Sequence, residues 1–321
     1  MSDVLFIKTS SLGDVIHQMP AVTELRRNRP SARIAWVVEE AFAPLVRLSP
    51  AVDTVIAVNS RAWRHRPLRP STWREAADFL TALRARAYDE IVDTQGLART
   101  ALIAKLAHGR RHGYDAESVR EKPASWLYDV HHHVDRGLHA IARNRLLSAQ
   151  ALGYALDGIL DYGLDRAALA GGALTGAAPA PYAIMLHATA RPEKEWPEAA
   201  WIEVGRRLSA RGVELLLPYG TAREQERGTR IAAALPNARL PARAPLDAVA
   251  RLIAGASFVV GVDTGLLHLA AALAVPLVAI FVGSEPGLTG PKGTGPIAVL
   301  GGRNQKPSPD AVLAALEGMV R

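Results

Sequence analysis

The sequence predicts an α/β protein of two domains, each with a parallel sheet covered by helices. Short apolar runs rich in Val, Ile, Leu and Phe recur along the chain and alternate with longer helical stretches. This alternation is typical of a parallel sheet with helices on both faces. A segment rich in Gly, Ala and Pro at residues 171–181 interrupts the alternation, which then begins again. The 321 residues accommodate two domains of ordinary size, about 100–200 residues each.

The first predicted domain covers residues 1–170. It opens on the apolar run at 4–7, which predicts a strand buried on both faces. A loop containing Ser and Gly leads from this strand into a helix expected at about 15–27. Further strands are predicted at 33–38, 54–58 and 90–93, and further helices at 73–87, 97–107 and 136–152.

The segment at 171–181 is the predicted linker, and the second predicted domain covers residues 182–321. Strands are predicted there at 182–186, 213–217, 258–262 and 277–281, and helices at 198–210, 221–235, 246–254 and 266–274. A last helix is expected at about 308–320, and its packing back on the first domain is an open alternative. Ligands of open parallel sheets bind at the carboxyl ends of the strands, so we expect the chemistry in the loops that follow strands.

The composition excludes several classes of protein. No cysteine is present, which excludes disulfides, thiolate metal ligands and cysteine nucleophiles. The formal charge is +7, and residues 61–145 carry 16 Lys and Arg against 10 Asp and Glu. A localised basic surface indicates an anionic partner, which could be nucleic acid, a phosphorylated lipid or an anionic membrane. Gly, Pro or His interrupts both long uncharged stretches, at 167–190 and 264–284, so no membrane span is predicted.

Common catalytic motifs are missing from the sequence. No G-x-G-x-x-G follows the first strand, and no P-loop, G-x-S-x-G or H-E-x-x-H motif occurs. The triplet at 131–133 is His-His-His. Adjacent side chains do not point one way and no carboxylate cluster is evident nearby, so no metal site is predicted there.

The loop after the first strand contains the first candidate residues. Gly13 allows close approach of a ligand. Asp14 has two interpretations: it caps a helix that starts at Val15, or it is a carboxylate that takes a proton from a hydroxyl group.

Two loops of the second domain contain further candidates. Lys194 precedes a helix that Trp196-Pro197 can start, and it is either a solvated lysine or a phosphate contact. Asp263-Thr264-Gly265 follows a buried strand and precedes an Ala-rich helix, where free N–H groups and the helix dipole favour an anion. An ordinary helix cap is the alternative there, and His268 taken alone is a packed core histidine.

A run of arginines follows the third predicted strand. Five arginines lie within 14 residues, interleaved with Trp63 and Trp73, and no acid occurs before Glu75. A solvated loop is the usual interpretation of such a run, but the density of guanidinium groups also suits phosphate binding. The arginines are Arg61, Arg64, Arg66, Arg69 and Arg74.

In their order and spacing these segments resemble the ADP-heptose:lipopolysaccharide heptosyltransferases, glycosyltransferase family 9, along nearly the whole chain. The quoted markers are Lys8 to Asp14, Trp36 to Glu40, Asp93 to Gly96, Arg120-Glu121, Lys194 with Trp196 to Glu198, and Asp263 to Gly265 with His268. The resemblance implies a GT-B fold, in which two Rossmann-like domains face each other across a cleft.

The resemblance also implies an inverting, metal-independent transfer that needs no cofactor, because ADP-heptose is a co-substrate. L-glycero-D-manno-heptose would pass from ADP-heptose to the first Kdo of Kdo2-lipid A, in the biosynthesis of the lipopolysaccharide inner core. The expected location is the cytoplasm, with peripheral contact to the cytoplasmic face of the inner membrane and no nucleic acid partner.

The resemblance assigns roles to individual residues. The implied catalytic residues are Asp14, as general base, and Lys194, as the cation on the departing ADP. The implied donor-binding residues are Thr189, Lys194, Glu224, Asp263, Thr264, Gly265 and His268. The implied acceptor-binding residues are Ser11, Gly13, Arg61, Arg64 and Arg120. The chain departs from the family pattern at Ala62, at Ala190 and at Gly283-Ser284.

Two alternatives remain open at this point. One is an enzyme of the same family that uses the same donor on a heptose acceptor. The other is a basic nucleic-acid-binding protein, which the charge permits although no recognised nucleic-acid motif is present.

Overall fold

A computed structural model describes residues 2–171 and 181–319 of the protein. The chain divides into two compact units, Met1–Leu164 and Asp165–Arg321, called here the first and second unit. Each unit contains a six-stranded sheet in which every strand pair is parallel. Most of the predicted linker, residues 172–180, lies outside the described residues.

The sheet of the first unit has the strand order β3-β2-β1-β4-β5-β6. Its strands are β1 (Asp3–Ile7), β2 (Arg33–Glu39), β3 (Thr54–Val58), β4 (Glu90–Asp93), β5 (Arg110–Tyr114) and β6 (Val130–His132). Its helices are α1 (Leu12–Asn28), α2 (Ala43–Val46), α3 (Ser60–His65), α4 (Pro70–Arg84), α5 (Ala98–Leu106), α6 (Lys122–Ser125) and α7 (Ala140–Leu152), with a 3₁₀ turn at Glu40–Phe42. Apolar residues of the central strands, such as Leu5 and Val37, pack against Phe79 and Leu83 of α4 in one buried cluster.

The sheet of the second unit repeats this arrangement, with the order β12-β11-β10-β7-β8-β9. Its strands are β7 (Tyr182–Leu186), β8 (Glu214–Leu216), β9 (Ala238–Arg239), β10 (Phe258–Val262), β11 (Leu277–Phe281) and β12 (Ile297–Gly301). Its helices are α8 (Arg166–Gly171), α9 (Glu198–Ser209), α10 (Ala222–Ala233), α11 (Leu246–Ala254), α12 (Gly265–Ala272) and α13 (Pro309–Met319), with a 3₁₀ turn at Pro192–Lys194. Numbered from the start of each unit, both sheets have the order 3-2-1-4-5-6.

This order places a topological switch point between β1 and β4 in the first sheet and between β7 and β10 in the second. On either side of such a point the chain crosses over in opposite directions, and the loops at the carboxyl ends of the two strands leave a crevice. The fold therefore predicts one binding region in each unit, at these loops.

All eight predicted strands are confirmed, because apolar runs mark them. β7, β10 and β11 are buried along their whole length. β5, β6, β9 and β12 were not predicted. β5 reads Arg-Arg-His-Gly-Tyr, and β9 has only two residues, so neither presents an apolar run.

The division between the units falls six residues before the predicted end of the first domain. α8 belongs to the second unit because the Arg166 guanidinium donates hydrogen bonds to the carbonyls of Ala254, Ala256 and Ala274, at 2.9–3.1 Å. The last helix, α13, contributes Val312, Leu313 and Leu316 to the core of the second unit.

Among residues 2–171 and 181–319, no helix combines the length and the apolar character that crossing a bilayer requires.

We expect the ion pair between Arg145 and Glu24 to contribute strongly to the stability of the first unit. It joins α7 to α1 through two hydrogen bonds of 2.7 and 2.9 Å, and the Glu24 side chain is fully buried. Arg145→Ala leaves this carboxylate without its cation, with the Asp157 N–H still bonded to it. The variant should lower the free energy of unfolding by about 3 kcal/mol, measured by urea titration. The control Arg207→Ala, at a surface pair, should cost under about 1 kcal/mol. Equal costs would contradict the assignment.

Candidate active site

The loop after β1 leads directly into α1, and Asp14 lies in the first turn of that helix. The helix begins at Leu12 with Ser11 as its N-cap, three residues earlier than predicted. The carboxylate of Asp14 accepts hydrogen bonds from the backbone N–H of Ser11 at 2.8 Å and from its hydroxyl at 3.1 Å. The prediction that Asp14 itself caps a helix at Val15 is therefore wrong. Asp14 is instead the acid of a capping box, with one carboxylate oxygen engaged.

Lys8 places a buried ammonium group beneath this loop. Its side chain donates to the carbonyl of Thr94 at 2.8 Å and to Oδ1 of Asn144 at 3.3 Å. Burial lowers the pKa of Lys8, while the charges of Asp14 and Asp93 raise it in part. Asp14 is thus electrostatically coupled to a buried cation of the same unit.

Asp93 and Gln95 hold the loop in place from the end of β4. The backbone N–H groups of Thr9 and Ser10 both donate to Oε1 of Gln95, at 3.0 and 3.2 Å. Asp93 in turn accepts from the backbone N–H of Gln95 and from the Tyr128 hydroxyl, both at 2.8 Å. Burial raises the pKa of Asp93 and outweighs these hydrogen bonds. Hydrogen bonds from these polar groups therefore fix the β1–α1 loop at the switch point between β1 and β4.

The predicted acceptor-binding residues lie on three elements of the first unit. Ser11 and Gly13 lie at the start of α1, and Arg120 is exposed in the loop after β5, where its charge lowers the pKa of Lys8. Arg61 and Arg64 are exposed on α3.

Two arginines of the run, Arg61 and Arg66, contact other side chains of the first unit. The guanidinium of Arg61 lies over the ring of Phe42, 5.4 Å from its centroid. Arg66 forms an ion pair of 2.8 Å with Glu75, which also accepts from the indole N–H of Trp63 at 2.9 Å. Arg66 and Trp63 are therefore structural residues.

Asp263 organises the candidate site of the second unit, at the end of β10. Its Oδ2 accepts from the ammonium of Lys194 at 2.5 Å and from the hydroxyl of Ser284 at 2.7 Å. Burial raises the pKa of Asp263, but the hydrogen bonds and the charge of Lys194 outweigh it, so the pKa is lowered. Thr189, also predicted, donates its hydroxyl to the Asp263 carbonyl at 2.9 Å. The structure thus brings Thr189, Lys194 and Asp263 together.

Arg227 ties the two ends of the loop that presents Lys194. This nearly buried guanidinium donates to the carbonyls of His187 and Trp196 and to the carboxylate of Glu198. Trp196 is buried and donates its indole N–H to the carbonyl of Pro307 at 3.0 Å. Opposite the loop, a Cβ added at Gly283 would lie 2.6 Å from the Glu193 carbonyl. Lys194 is therefore held on a closely packed turn.

The N-terminus of α12 lies directly after Asp263. Thr264 is the N-cap in extended conformation, and its side chain makes no capping hydrogen bond. The first N–H groups of a helix have no partner within it, so this turn can bind an anion. His268 is buried in the first turn, and its charge helps to lower the pKa of Asp263.

Glu224 and Thr264 both line a small cavity of about 50 Å³. Oε2 of Glu224 accepts from the backbone N–H groups of Gly220 and Thr221, at 2.7 and 3.3 Å. His187 also lines this cavity, and burial together with the Arg227 charge lowers its pKa to about 4. No described residue pairs with either of its ring nitrogens. The cavity therefore has a neutral imidazole and a carboxylate in its wall.

The three adjacent histidines have three different partners. His131 lies 2.7 Å from the carbonyl of Ser125, and Nε2 of His132 lies 2.9 Å from Nδ1 of His112. His133 forms an ion pair of 2.9 Å with Asp115 and lies 3.9 Å from Glu117. The expectation that no carboxylates lie nearby is wrong, because β5 and β6 are neighbours and bring residues 18 positions apart together. The Asp115 carboxylate already accepts from the backbone N–H groups of Glu117 and Ser118.

Sequence reasoning missed several residues of both sites. Gln95, Ser284 and Arg227 were not singled out, although Gln95 lies in a quoted marker and Ser284 in a stretch noted only as a departure. Each acts on a partner 21 to 86 positions away in sequence, and no local pattern indicates such a contact.

Comparisons with known proteins assign this arrangement to the glycosyltransferases and confirm the GT-B fold class. The structure matches that of the E. coli heptosyltransferase WaaC with ADP, with a TM-score of 0.90 and 38% identity, over 98% of this chain and 99% of that chain. The same enzyme with ADP-2-deoxy-2-fluoro heptose matches with a TM-score of 0.87.

The model of glycosyltransferase family 9 (heptosyltransferase) matches residues 77–314. The chain belongs to this family. Lipopolysaccharide heptosyltransferase 1 of Pseudomonas aeruginosa is 45% identical over 297 residues, 90% of this chain and 81% of the relative. The protein of that name from E. coli K12 is 41% identical over 289 residues, 89% of this chain and 90% of the relative.

Replacing Lys194 should raise the pKa of Asp263. Lys194→Met removes the charge and the hydrogen bond, so burial should dominate and move the pKa above its present, lowered value. The ¹³Cγ shift of Asp263, followed in a pH titration, measures this. Ser284→Ala removes one neutral hydrogen bond and should produce a smaller rise.

The pair of Lys194 and Asp263 should also make the free energy of unfolding depend on pH. A carboxyl group whose pKa is lower in the folded state stabilises the fold at a pH above its unfolded-state pKa. This contribution should disappear as the pH falls through the folded-state pKa. An Asp263 titration that is unchanged in Lys194→Met would contradict the pairing.

Proposed function

We propose that this glycosyltransferase moves L-glycero-D-manno-heptose from ADP-heptose to the first Kdo of Kdo2-lipid A, with inversion at the anomeric carbon. The observation that carries the proposal is the cluster formed by Lys194, Asp263 and Ser284 at the N-terminus of α12. It places a fixed cation next to the first turn of α12, where the helix dipole favours an anion, and this suits a diphosphate leaving group. The names of the relatives at 41–45% identity support this substrate class.

The donor is assigned to the second unit. Lys194 would stabilise the charge that grows on the departing ADP, and its pairing with Asp263 orients the ammonium before substrate arrives. Thr264 and Gly265 would bind the phosphates through the start of α12. The cavity lined by Glu224 and His187 is assigned to the adenosine end, because it offers hydrogen-bonding groups beyond that helix terminus.

The acceptor is assigned to the first unit, with Asp14 as general base. A sugar hydroxyl is a weak nucleophile, and a positioned carboxylate typically contributes about 10²–10⁴-fold. The capping hydrogen bonds from Ser11 reach one oxygen of Asp14. They orient the carboxylate and leave its other oxygen for the hydroxyl proton.

The experiment that tests the proposal is an ADP-release assay with ADP-heptose. We expect release to depend on Kdo2-lipid A and the product to contain one added heptose by mass spectrometry. Transfer only to an acceptor that already carries heptose would favour the alternative enzyme of the same family. Salt-sensitive retention of DNA or RNA that exceeds binding to lipid A analogues would favour a nucleic-acid-binding protein.

Asp14→Asn separates the two roles of Asp14. The amide oxygen can still accept from the Ser11 N–H, so the thermal unfolding temperature should stay close to that of the wild type. The amide is a poor proton acceptor, so turnover should fall at least ~10²-fold while the affinity for ADP-heptose changes little.

Asp14→Ala supplies the matched comparison for that variant. It removes the cap as well, and it should cost about 1 kcal/mol of stability in addition to the loss of rate. If Asp14→Asn keeps its turnover, Asp14 is only a capping residue.

Neutralising Arg61 and Arg64 together should raise the KM for the lipid acceptor several-fold. Each basic residue near an anionic surface contributes on the order of 1 kcal/mol, which salt screens. The KM for ADP-heptose should hardly change, and the acceptor KM should depend less on salt than in the wild type. Arg206→Gln with Arg211→Gln, on the surface of the second unit, removes the same charge as a control. A rise in the donor KM would contradict the assignment.

A further inference from the structure

Two large apolar side chains lie exposed beside the arginine run of the first unit. Leu68 is 90% exposed in the turn between α3 and α4, and Trp73 is 68% exposed in the first turn of α4. Folding leaves both in contact with water, although the unit has a large buried core. A pair of exposed apolar residues this close in sequence indicates a surface that is covered in use.

Two prolines and two hydrogen bonds restrain the turn that presents Leu68. Pro67 and Pro70 enclose Leu68-Arg69, and each proline ring restricts its own backbone. The carbonyl of Arg66 accepts from the N–H of Arg69 at 3.2 Å and from the hydroxyl of Thr72 at 2.7 Å. The exposed leucine therefore sits on a fixed backbone, so little entropy is lost when a partner covers it.

The charged residues from 61 to 74 are all basic, and the next acids along α4 are Glu75 and Asp78. Arg64, Arg69 and Arg74 are exposed, and none of them forms an ion pair with any residue from 2–171 or 181–319. No acid occurs between Asp53 and Glu75, and Glu75 is already engaged by Arg66 and Trp63. Arginines without ion pairs, next to the exposed side chains of Leu68 and Trp73, are complementary to a surface that has anionic groups outside and hydrocarbon beneath.

Hydrogen bonds connect the start of α3 to the loop that carries the proposed acceptor site. The hydroxyl of Ser60, the first residue of α3, donates to the carboxylate of Glu39. The backbone N–H of Glu39 donates to the carbonyl of Thr9 at 3.1 Å. Both α3 and the β1–α1 loop lie at the carboxyl edge of the same sheet.

We propose that the turn between α3 and α4 docks the protein on an anionic lipid bilayer. Leu68 and Trp73 enter the interfacial region, and Arg64, Arg69 and Arg74 contact the lipid phosphates. Tryptophan is favoured at this depth of a bilayer, and paired apolar and basic contacts are typical of peripheral binding. The biological use of this surface rests on the proposed function, because that acceptor is a membrane lipid.

Vesicle co-sedimentation of the full chain tests the docking directly. Vesicles of phosphatidylglycerol and phosphatidylethanolamine should bind the wild type, and vesicles of phosphatidylcholine should bind it much less. Leu68→Ser with Trp73→Ser should weaken binding to the anionic vesicles at least tenfold without lowering the melting temperature. The matched control is Ile159→Ser, an exposed aliphatic residue that lies between Asp157 and Asp161, and it should bind like the wild type. Equal binding by the double variant, or none by the wild type, overturns the proposal.

Transfer assays separate this proposal from the proposed function. With Kdo2-lipid A in anionic vesicles, the double variant should lose at least fivefold in kcat/KM. With a deacylated, water-soluble Kdo acceptor it should match the wild type. Transfer to neither acceptor by the wild type would refute the proposed function, while sedimentation still decides the docking. Equal losses on both acceptors would place Leu68 and Trp73 in the acceptor site and overturn the membrane role.

Discussion

Parallel strand pairing is the constraint on which both candidate sites depend. Within each sheet every strand runs in the same direction, so the loops that follow the strands gather at one edge. The order 3-2-1-4-5-6 then separates the crossovers at β1 and β4, and again at β7 and β10. Asp14 follows β1 and Asp263 follows β10. Within each unit, the strands therefore bring loop residues that are far apart in sequence to one edge of the sheet.

Charged groups at these edges are held at an energetic cost that hydrogen bonds offset. Burial raises the pKa of Asp93 and lowers that of Lys8, so both environments disfavour the charged form. Asp263 differs, because Lys194 and Ser284 keep its pKa low. Burial of this pair has a desolvation cost, which the hydrogen bonds and the charge of Lys194 exceed at Asp263. In the proposed mechanism the pair also orients the ammonium of Lys194, as electrostatic catalysis requires.

Features that depend on neighbouring residues were predicted from the sequence, and features that depend on contacts between distant segments were not. The strand at 258–262 was predicted residue for residue, because a continuous apolar run is a local signal. β5 was missed because Arg110 and Arg111 conceal it, and its pairing with β4 depends on the rest of the sheet. The helix containing Asp14 was predicted three residues late, since Ser11 rather than Asp14 is its N-cap. Their loops after buried strands singled out Lys194 and Asp263. The hydroxyl of Ser284, which contacts the same carboxylate, was not singled out because its position depends on the pairing of β10 with β11.

The anomeric configuration of the transferred heptose tests the central claim most directly. If Asp14 activates the acceptor hydroxyl and Lys194 supports the departing ADP, the sugar is displaced once and no covalent intermediate forms. NMR spectroscopy of the product made from ADP-heptose and Kdo2-lipid A should then show the anomeric centre inverted relative to the donor. Retention of configuration would contradict the account, because a single displacement by the hydroxyl that Asp14 activates must come from the face opposite the departing ADP.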